Sequence, residues 1–374
     1  MSSVLLYGDS IRSAALRHEV PVAIMDPFLF VAHDGRSLIL TSSLEADRIA
    51  EVVPAAELLF AEDLGFYEFV QEGLTFEAAE LETVIRAVSQ WGVTEVVVPG
   101  DAPVAVADRL RAAGIGVTVD TDAVKARRRV KSAAELEGIA RAQRAAEAGM
   151  AAGEALIRGA ARDGDRLALT AEEVRDAIRS VCAEAGAPAP PDIMVVSALT
   201  GGGGHDPGSG PLPADLPITI DLWPCDEASG CWADMTRTFV NGAVSDEVAR
   251  LRGIVLEALE AARAAARPGI TGGDLYGVAA SVIEAAGFPT QRTRAEGERL
   301  AHGFYFGLGH GVGLEVHESP WLGYGSEETL AAGDVVAIEP GIEGLDGIGG
   351  VRYEDLLLIT EDGCETLTRY AYDL

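Results

Sequence analysis

The sequence predicts an α+β protein in two parts: a small α/β layer domain, then a larger domain made of two similar halves. Three observations carry this. The 374 residues exceed what one ordinary core holds. Up to about residue 120, short apolar runs alternate with helical patterns. Beyond that, two capped helices recur 101 residues apart, each followed by strands that carry acids.

In the first part, residues 20–25 and 28–32 read as strands, and Asp34-Gly35 as a hairpin turn into 37–41. A helical stretch, 77–91, leads to a short buried strand at 94–98, and 114–119 closes the section. A basic run, Lys125-Ala-Arg-Arg-Arg-Val-Lys131, follows in a chain with only these two lysines. Ser132 and Glu135 then form a capping box for a helix to about Ile157. We place the domains at 1–124 and 125–374.

The larger part repeats itself. Thr170-Ala-Glu-Glu173 opens a helix that stops at Ala185-Gly-Ala-Pro188, and Thr271-Gly-Gly-Asp274 opens one that stops at Ala286-Gly-Phe-Pro289. Thr170/Thr271, Ser180/Ser281, Val181/Val282, Gly186/Gly287 and Pro188/Pro289 share one offset, which predicts two halves about a pseudo-twofold with a site between them. Shared caps and glycine stops alone could also arise by chance. Each half then delivers a hairpin with an acid on either arm: Asp221 and Asp234 in the first, Glu339 and Glu354 in the second.

Composition narrows the function. A net charge of −30 excludes a nucleic-acid binder, because phosphate contacts need a basic face. The acidity reads as a solvated surface, or as a field that draws metal ions and protonated amines. No apolar run is long enough to span a bilayer, so no membrane partner is expected. The start shows no basic region leading into an apolar stretch, and the four cysteines form no CxxC pair. A reduced, cytoplasmic protein is the expectation.

Asp221 sits in Ile-Thr-Ile-Asp-Leu-Trp and Glu339 follows Val-Val-Ala-Ile, where a carboxylate is costly unless paired or bound to metal. Four converging carboxylates could not all stay ionised without cations. His310 lies in Gly-His-Gly-Val-Gly, whose glycines permit close backbone approach. Four acids and one imidazole suit Mn²⁺ or Co²⁺, with Zn²⁺ allowed. Five ligands are too few for two closed sites, so some must bridge, at the spacing of roughly 3.5–4 Å used in two-metal hydrolysis. Taken singly, each acid could be an ordinary salt-bridge or turn partner. Gly201–Gly204 is not a phosphate loop, since no Gly-Lys-[Ser/Thr] follows.

These motifs resemble the creatinase/aminopeptidase family of pita-bread fold, which includes aminopeptidase P, prolidase and methionine aminopeptidase. The matching pieces are Ile220-Asp-Leu222, Ala233-Asp-Met-Thr-Arg-Thr-Phe239, Gly307-Leu-Gly-His310-Gly-Val-Gly-Leu-Glu-Val-His317-Glu318, Ile338-Glu-Pro-Gly341 and Val351-Arg-Tyr-Glu-Asp355. Arg129-Val-Lys131-Ser, with Glu135 after it, is similar to the lead-in of the prolidase-like branch. The resemblance is strong over 125–374; the first part matches that branch's smaller domain in organisation alone.

The resemblance implies a C-terminal pita-bread domain. Asp221 would hold one metal, His310 and Glu339 the other, and Asp234 and Glu354 would bridge. Glu339 would also move protons, His205 and His317 would be catalytic, and Arg352 would orient ligands or touch substrate. The implied cofactors are two divalent ions, Mn²⁺ first, with Co²⁺ or Zn²⁺ as alternatives. The implied activity is hydrolysis of the peptide bond beside a free N-terminal residue, as an Xaa-Pro aminopeptidase or Xaa-Pro dipeptidase acting on short peptides, in a homodimer. Three alternatives stand beside it: a non-proline dipeptidase, a C–N hydrolase of small amides, and a non-catalytic binding module. Twelve residues separate Asp221 from Asp234, two more than in the family pattern. An even insertion preserves strand alternation but lengthens the hairpin tip at 224–230, which puts proline specificity in question. Cys225 and Cys231 flank that tip and are expected as free thiols.

Overall fold

The first strand, Ser3–Gly8, is one of the two middle strands of a six-stranded mixed sheet. The computed structural model describes residues 3–201 and 205–374, which form two compact units, Met1–Arg129 and Val130–Leu374. The first unit's sheet runs Glu57–Phe60, Arg36–Thr41, Phe28–His33, Ser3–Gly8, Glu95–Val98, Gly116–Val119. Leu5, Leu29, Val31 and Leu38 pack with Val84, Val88 and Leu110 on one face. Val4, Leu6, Phe30 and Ile39 pack with Leu16, Ile24 and Ile49 on the other. Burial of both faces is why these strands read as apolar runs rather than as alternation. Asp34 and Gly35 take φ of 49° and 75° in the two-residue turn between Phe28–His33 and Arg36–Thr41.

Residues 20–25, expected as a strand, are not one. Val20 ends the helix Ala14–Glu19, and Pro21 has no N–H for a ladder. The Ser10 hydroxyl does the pairing instead, donating to the Val22 carbonyl at 2.6 Å and accepting from the Ile24 N–H at 2.8 Å. Val20 and Ile24 are fully buried, which gave the segment its strand-like look. The first three residues of the basic run close a helix, and the two units divide within the run, after Arg129. Thr121–Arg127 is capped by Asp120, buries Val124 and carries Lys125 and Arg127 in its last turn, where cations are favoured.

The second unit is built from two helix pairs. Ala133–Gly159, opened by the Ser132/Glu135 capping box, packs on Ala171–Glu184, opened by the Thr170/Glu173 box. Asp246–Ala265 packs on Gly272–Ala285, whose cap Thr271 accepts from the Asp274 N–H. Gly186 and Gly287, at equivalent positions, both adopt the positive φ (77° and 92°) that closes a helix. Each pair covers its own apolar cluster, so the duplication reaches the packing.

The first half carries the sheet Met194–Ser197, Ile218–Leu222, Met235–Phe239. The second carries Glu318–Leu322, Gly309–Gly311, Val335–Ile338, Asp355–Ile359, Cys364–Thr366. The second hairpin is more elaborate than expected. Its arms are Val335–Ile338 and Asp355–Ile359, and the chain between them folds into a ribbon of its own, Gly341–Leu345 against Gly349–Arg352.

The two halves are stitched together at one line. The Glu354 N–H donates to the Thr236 carbonyl at 3.1 Å. The Thr238 hydroxyl accepts from the Arg352 N–H at 3.1 Å and donates to its carbonyl at 3.0 Å. Behind that line Arg237 is 1% exposed and places all five N–H donors. Nε donates to the Ala371 carbonyl, Nη1 to those of Thr236 and Glu354, and Nη2 to the Tyr370 carbonyl and the Asp355 carboxylate, at 2.7–3.0 Å. Arg237→Met is expected to cost about 3–5 kcal/mol, because it strands the buried Asp355 charge. Arg237→Met/Asp355→Leu should recover much of that. Urea unfolding of the single and double variants checks both outcomes.

Candidate metal centre

The site's acids stand at the ends of the two hairpins. Asp221 lies on Ile218–Leu222 opposite Thr236, and Asp234 just precedes Met235–Phe239. Glu339 just follows Val335–Ile338, and Glu354 just precedes Asp355–Ile359. His310 lies on Gly309–Gly311, between Glu318–Leu322 and Val335–Ile338. Its flanking glycines are required by close approach. A Cβ at Gly309 would sit 1.9 Å from the Ala337 carbonyl oxygen, and one at Gly311 2.3 Å from that of Ser319.

All five residues line one cavity of about 370 Å³. Ligand atoms of Asp221, Asp234 and Glu354 lie within 4.8 Å of one another, as do those of His310, Glu339 and Glu354 and those of Asp234, His310 and His317. Glu354, Asp234 and His310 thus each join two of these groups. His310 Nδ1 lies 3.1 Å from the Gly311 carbonyl, to which it can only donate. That leaves the Nε2 lone pair facing Asp234 Oδ2 at 3.7 Å and Glu339 Oε1 at 3.8 Å. A lone pair aimed at two carboxylates is repulsive unless a cation lies between them.

The electrostatics give the same picture. Burial pushes the Asp234 carboxyl well above its usual range, helped by Glu354, Asp221 and Glu339. Burial, then Glu339 and Asp221, does the same to Glu354, although the Thr236 hydroxyl donates to it at 2.7 Å. Burial raises Glu339 to about 8 against the pull of Arg352. Burial, then His317, lowers His310 to about 4, so its imidazole is neutral.

Arg352 is the one cationic side chain lining this cavity among the described residues. Its Nη2 donates to Asp221 Oδ2 at 2.6 Å, and Nη1 lies 3.5 Å from Glu339 Oε2. Burial works against its charge, but Asp221, Glu343 and Glu339 hold its pKa above the usual value. One guanidinium does not satisfy four acids. Oδ1 of Asp221 and Oδ1 of Asp234 are buried without a hydrogen-bond partner, as is Arg352 Nε. Orphaned, oxygen-rich acceptors beside an unprotonated imidazole nitrogen fit a pair of divalent cations.

The structure brings both remaining histidines to the same cavity. The His317 ring centre is 4.3 Å from that of His310 and 6.1 Å from that of His205. Burial, then His205, lowers the His317 pKa. His205 follows Gly202–Gly204, which lie outside the described residues. The lengthened tip is held from a distance. Arg141, on the long helix Ala133–Gly159, grips Asp226 through Nε and Nη2, both at 2.9 Å, and Asp226 accepts from the Ser229 hydroxyl at 2.6 Å.

Sequence reasoning missed three neighbours of the site. Thr236 supports Glu354, while Asp192 and Trp223 line the cavity. Thr236 was legible in principle, as the polar residue facing Asp221 across the ladder. Asp192 had no such signal, since it lies in a loop after three prolines.

The profile of metallopeptidase family M24 matches residues 137–361, more than half of the chain and the whole of this site. The chain belongs to that metallopeptidase family. The Xaa-Pro dipeptidase of Pyrococcus furiosus is 40% identical over 142 residues, 38% of this chain and 37% of the relative. That of Pyrococcus horikoshii is 42% identical over the same shares. The matched stretch therefore spans little over a third of these relatives. Over the full chain, the X-Pro aminopeptidase of Thermotoga maritima superposes with a TM-score of 0.80 at 23% identity, covering 100% of this chain and 98% of that one. The Xaa-Pro dipeptidase of Bacillus anthracis gives 0.79 at 22%, covering 100% and 94%. These likenesses establish the pita-bread fold and its smaller N-terminal domain.

The buried acids set a pH dependence for this metallopeptidase when stripped of metal. The folded-state pKa values of Asp234, Glu339 and Glu354 lie above the unfolded ones, so their contribution to stability is complete below about pH 4 and is lost as pH rises. For Glu339 the loss extends to about 8. His310, lowered by burial, works the other way up to about pH 6.5, so in chelator the melting temperature is expected to fall between about pH 6.5 and pH 8. Asp234→Asn should raise it by about 3 °C or more at pH 8 and flatten the slope, while Mn²⁺ should stabilise the parent protein and not the variant. Thermal melts with and without Mn²⁺ check this.

Proposed function

We propose that the chain is a dinuclear-metal hydrolase that cuts the peptide bond beside a free N-terminal residue, as an Xaa-Pro aminopeptidase or Xaa-Pro dipeptidase. One observation carries the reading: four carboxylates and one neutral imidazole converge in a cavity where two carboxylate oxygens have no partner. The names of the Pyrococcus relatives support the substrate class. We assign Asp221 to one metal, His310 and Glu339 to the other, and Asp234 and Glu354 to both. Glu354 shares one ligand group with Asp221 and another with His310 and Glu339, and Asp234 groups with Asp221 while lying 3.7 Å from His310 Nε2, which supports their bridging role. The oxygen-rich donor set favours Mn²⁺, with Co²⁺ or Zn²⁺ as substitutes.

Bound there, the two cations would lower the pKa of a water and polarise the scissile carbonyl. Glu339 would accept the proton of the attacking water and return it to the leaving nitrogen. His317 and His205, which line the same cavity, would donate to the developing oxyanion. Arg352 would orient Asp221 and Glu339, both of which it already reaches. We assign all of this chemistry to the second unit. A homodimer in a reducing cytoplasm completes the proposal; the first rests on the family resemblance, and four free cysteines support the second.

Glu339→Gln is expected to lower kcat/KM by about 10²–10⁴-fold with an unchanged circular dichroism spectrum; parental turnover would refute its role. A panel of Xaa-Pro peptides, ordinary dipeptides and small amides, with metal content measured on the same sample, tests the whole reading. About two ions per chain with Xaa-Pro cleavage is the expected result. Turnover of small amides alone would assign a different C–N bond. Absence of both metal and turnover after Mn²⁺ incubation would reduce the protein to a binding module.

A further inference from the structure

The first unit holds a cavity of about 500 Å³ that the proposed hydrolysis does not use. It lies where the sheet topology favours a ligand. Phe28–His33 runs antiparallel to both Ser3–Gly8 and Arg36–Thr41, and Glu57–Phe60 runs parallel to the latter. The carboxyl ends of three strands therefore share one edge, marked by Tyr7, Thr41 and Ala61 in the cavity wall. Crevices at such edges are the usual ligand position in open α/β sheets.

The wall chemistry is specific. Phe66, Tyr67 and Phe76 form an aromatic cluster, with Phe66 5.3 Å from Tyr67 and 5.7 Å from Phe76. Tyr67 is 55% and Phe76 62% exposed. Three acids, Asp26, Glu62 and Glu80, share the wall, and no lysine, arginine or histidine is among its described residues. Phe28, Leu29 and Leu40 give it a buried apolar floor.

Two polar atoms mark the gap. The Ser43 N–H and hydroxyl donate to Glu62 Oε1 at 3.1 and 2.8 Å, which fixes the carboxylate. Its other oxygen, Oε2, is buried without a partner, and so is the Ser42 hydroxyl. Glu62 and Ser42 are themselves half-buried in this wall, so the carboxylate is held in place with one oxygen not engaged by the protein. Burial works against the Glu62 charge, but the hydrogen bonds hold its carboxyl below the usual range. Aromatic faces and carboxylates attract the same ligand charge, and an apolar floor suits an alkyl stem.

We propose that this cavity binds an organic cation with a short aliphatic stem, of the alkylguanidinium or alkylammonium class. The Glu62 carboxylate takes its N–H donors, and the aromatic cluster faces its charge. Free amines and a basic side chain of a peptide offer the same chemistry.

The test is calorimetric titration of the full-length, Mn²⁺-loaded protein with n-butylguanidinium. Saturable binding at about 1 mM or tighter is expected. Glu62→Gln and Phe76→Ala should each weaken it about tenfold, n-butylurea should not bind, and Glu339→Gln should leave the affinity unchanged. A blocked peptide, acetyl-Gly-Arg-Gly-amide, separates the sources: tighter binding than n-butylguanidinium assigns peptides, and equal or weaker binding assigns free amines. No binding, equal binding of n-butylurea, or affinity that ignores Glu62→Gln overturns the proposal. So does loss of binding in Glu339→Gln, which would place the ligand at the metal centre.

Discussion

Four carboxylates in one buried cavity cannot all carry charge unless something positive is placed among them, and the second unit is organised around that constraint. Asp234 and Glu354 are pushed above their usual range chiefly by burial, and then by neighbouring carboxylates, Glu354 first for Asp234 and Glu339 first for Glu354. Arg352 relieves part of this, but its Nε makes no hydrogen bond and has only the Glu343 carboxylate at 3.6 Å. The pseudo-twofold explains how the acids come to meet. Each half delivers two of them at the ends of a hairpin, and the Thr236–Glu354 and Thr238–Arg352 hydrogen bonds set the two hairpins edge to edge.

The contrast with Arg237 shows that this frustration is local. Arg237 and Asp355 are both about fully buried, one position away from Thr236 and Glu354 in their strands. There every guanidinium donor has an acceptor, and Asp355 also accepts from the Tyr372 hydroxyl. Lys131 and Glu318, also buried, form a direct ion pair beside the His310 loop. The fold can therefore satisfy buried charge where charge serves structure. It leaves oxygen atoms of Asp221 and Asp234 unsatisfied where the strands alternate onto the cavity. Departures from local satisfaction concentrate at functional sites.

Much of this was legible in the sequence because the signals are local. Thr170 with Glu173, Ser132 with Glu135, and the glycine stops 101 residues apart each act within one helix turn. An acid inside an apolar strand announces its cost without any tertiary knowledge, which is why Asp221 and Glu339 stand out. The failures have a different origin. Residues 20–25 carry strand-like composition, but their pairing partner is a serine hydroxyl ten or more residues earlier. Ser3–Gly8 becomes an inner strand only because Phe28–His33 and Glu95–Val98 arrive on either side of it. The ribbon inside the second hairpin was hidden for the same reason, as glycine-rich sequence specifies turning but not pairing.

The lengthened tip shows how a departure from a family pattern can be absorbed. Two extra residues between Asp221 and Asp234 would be harmful if they changed the face on which either acid lies, and an even number does not. The surplus is taken up beyond the paired strands, where Asp226 folds the tip onto Arg141 and caps the turn through Ser229. Trp223, at the base of this tip, is also part of the cavity wall. The placement of the acids is thus insulated from the insertion, while the cavity wall at Trp223 is coupled to it. Under the function proposed above, hydrolytic chemistry and substrate choice would rest on different residues, so the chain could keep the first while diverging in the second.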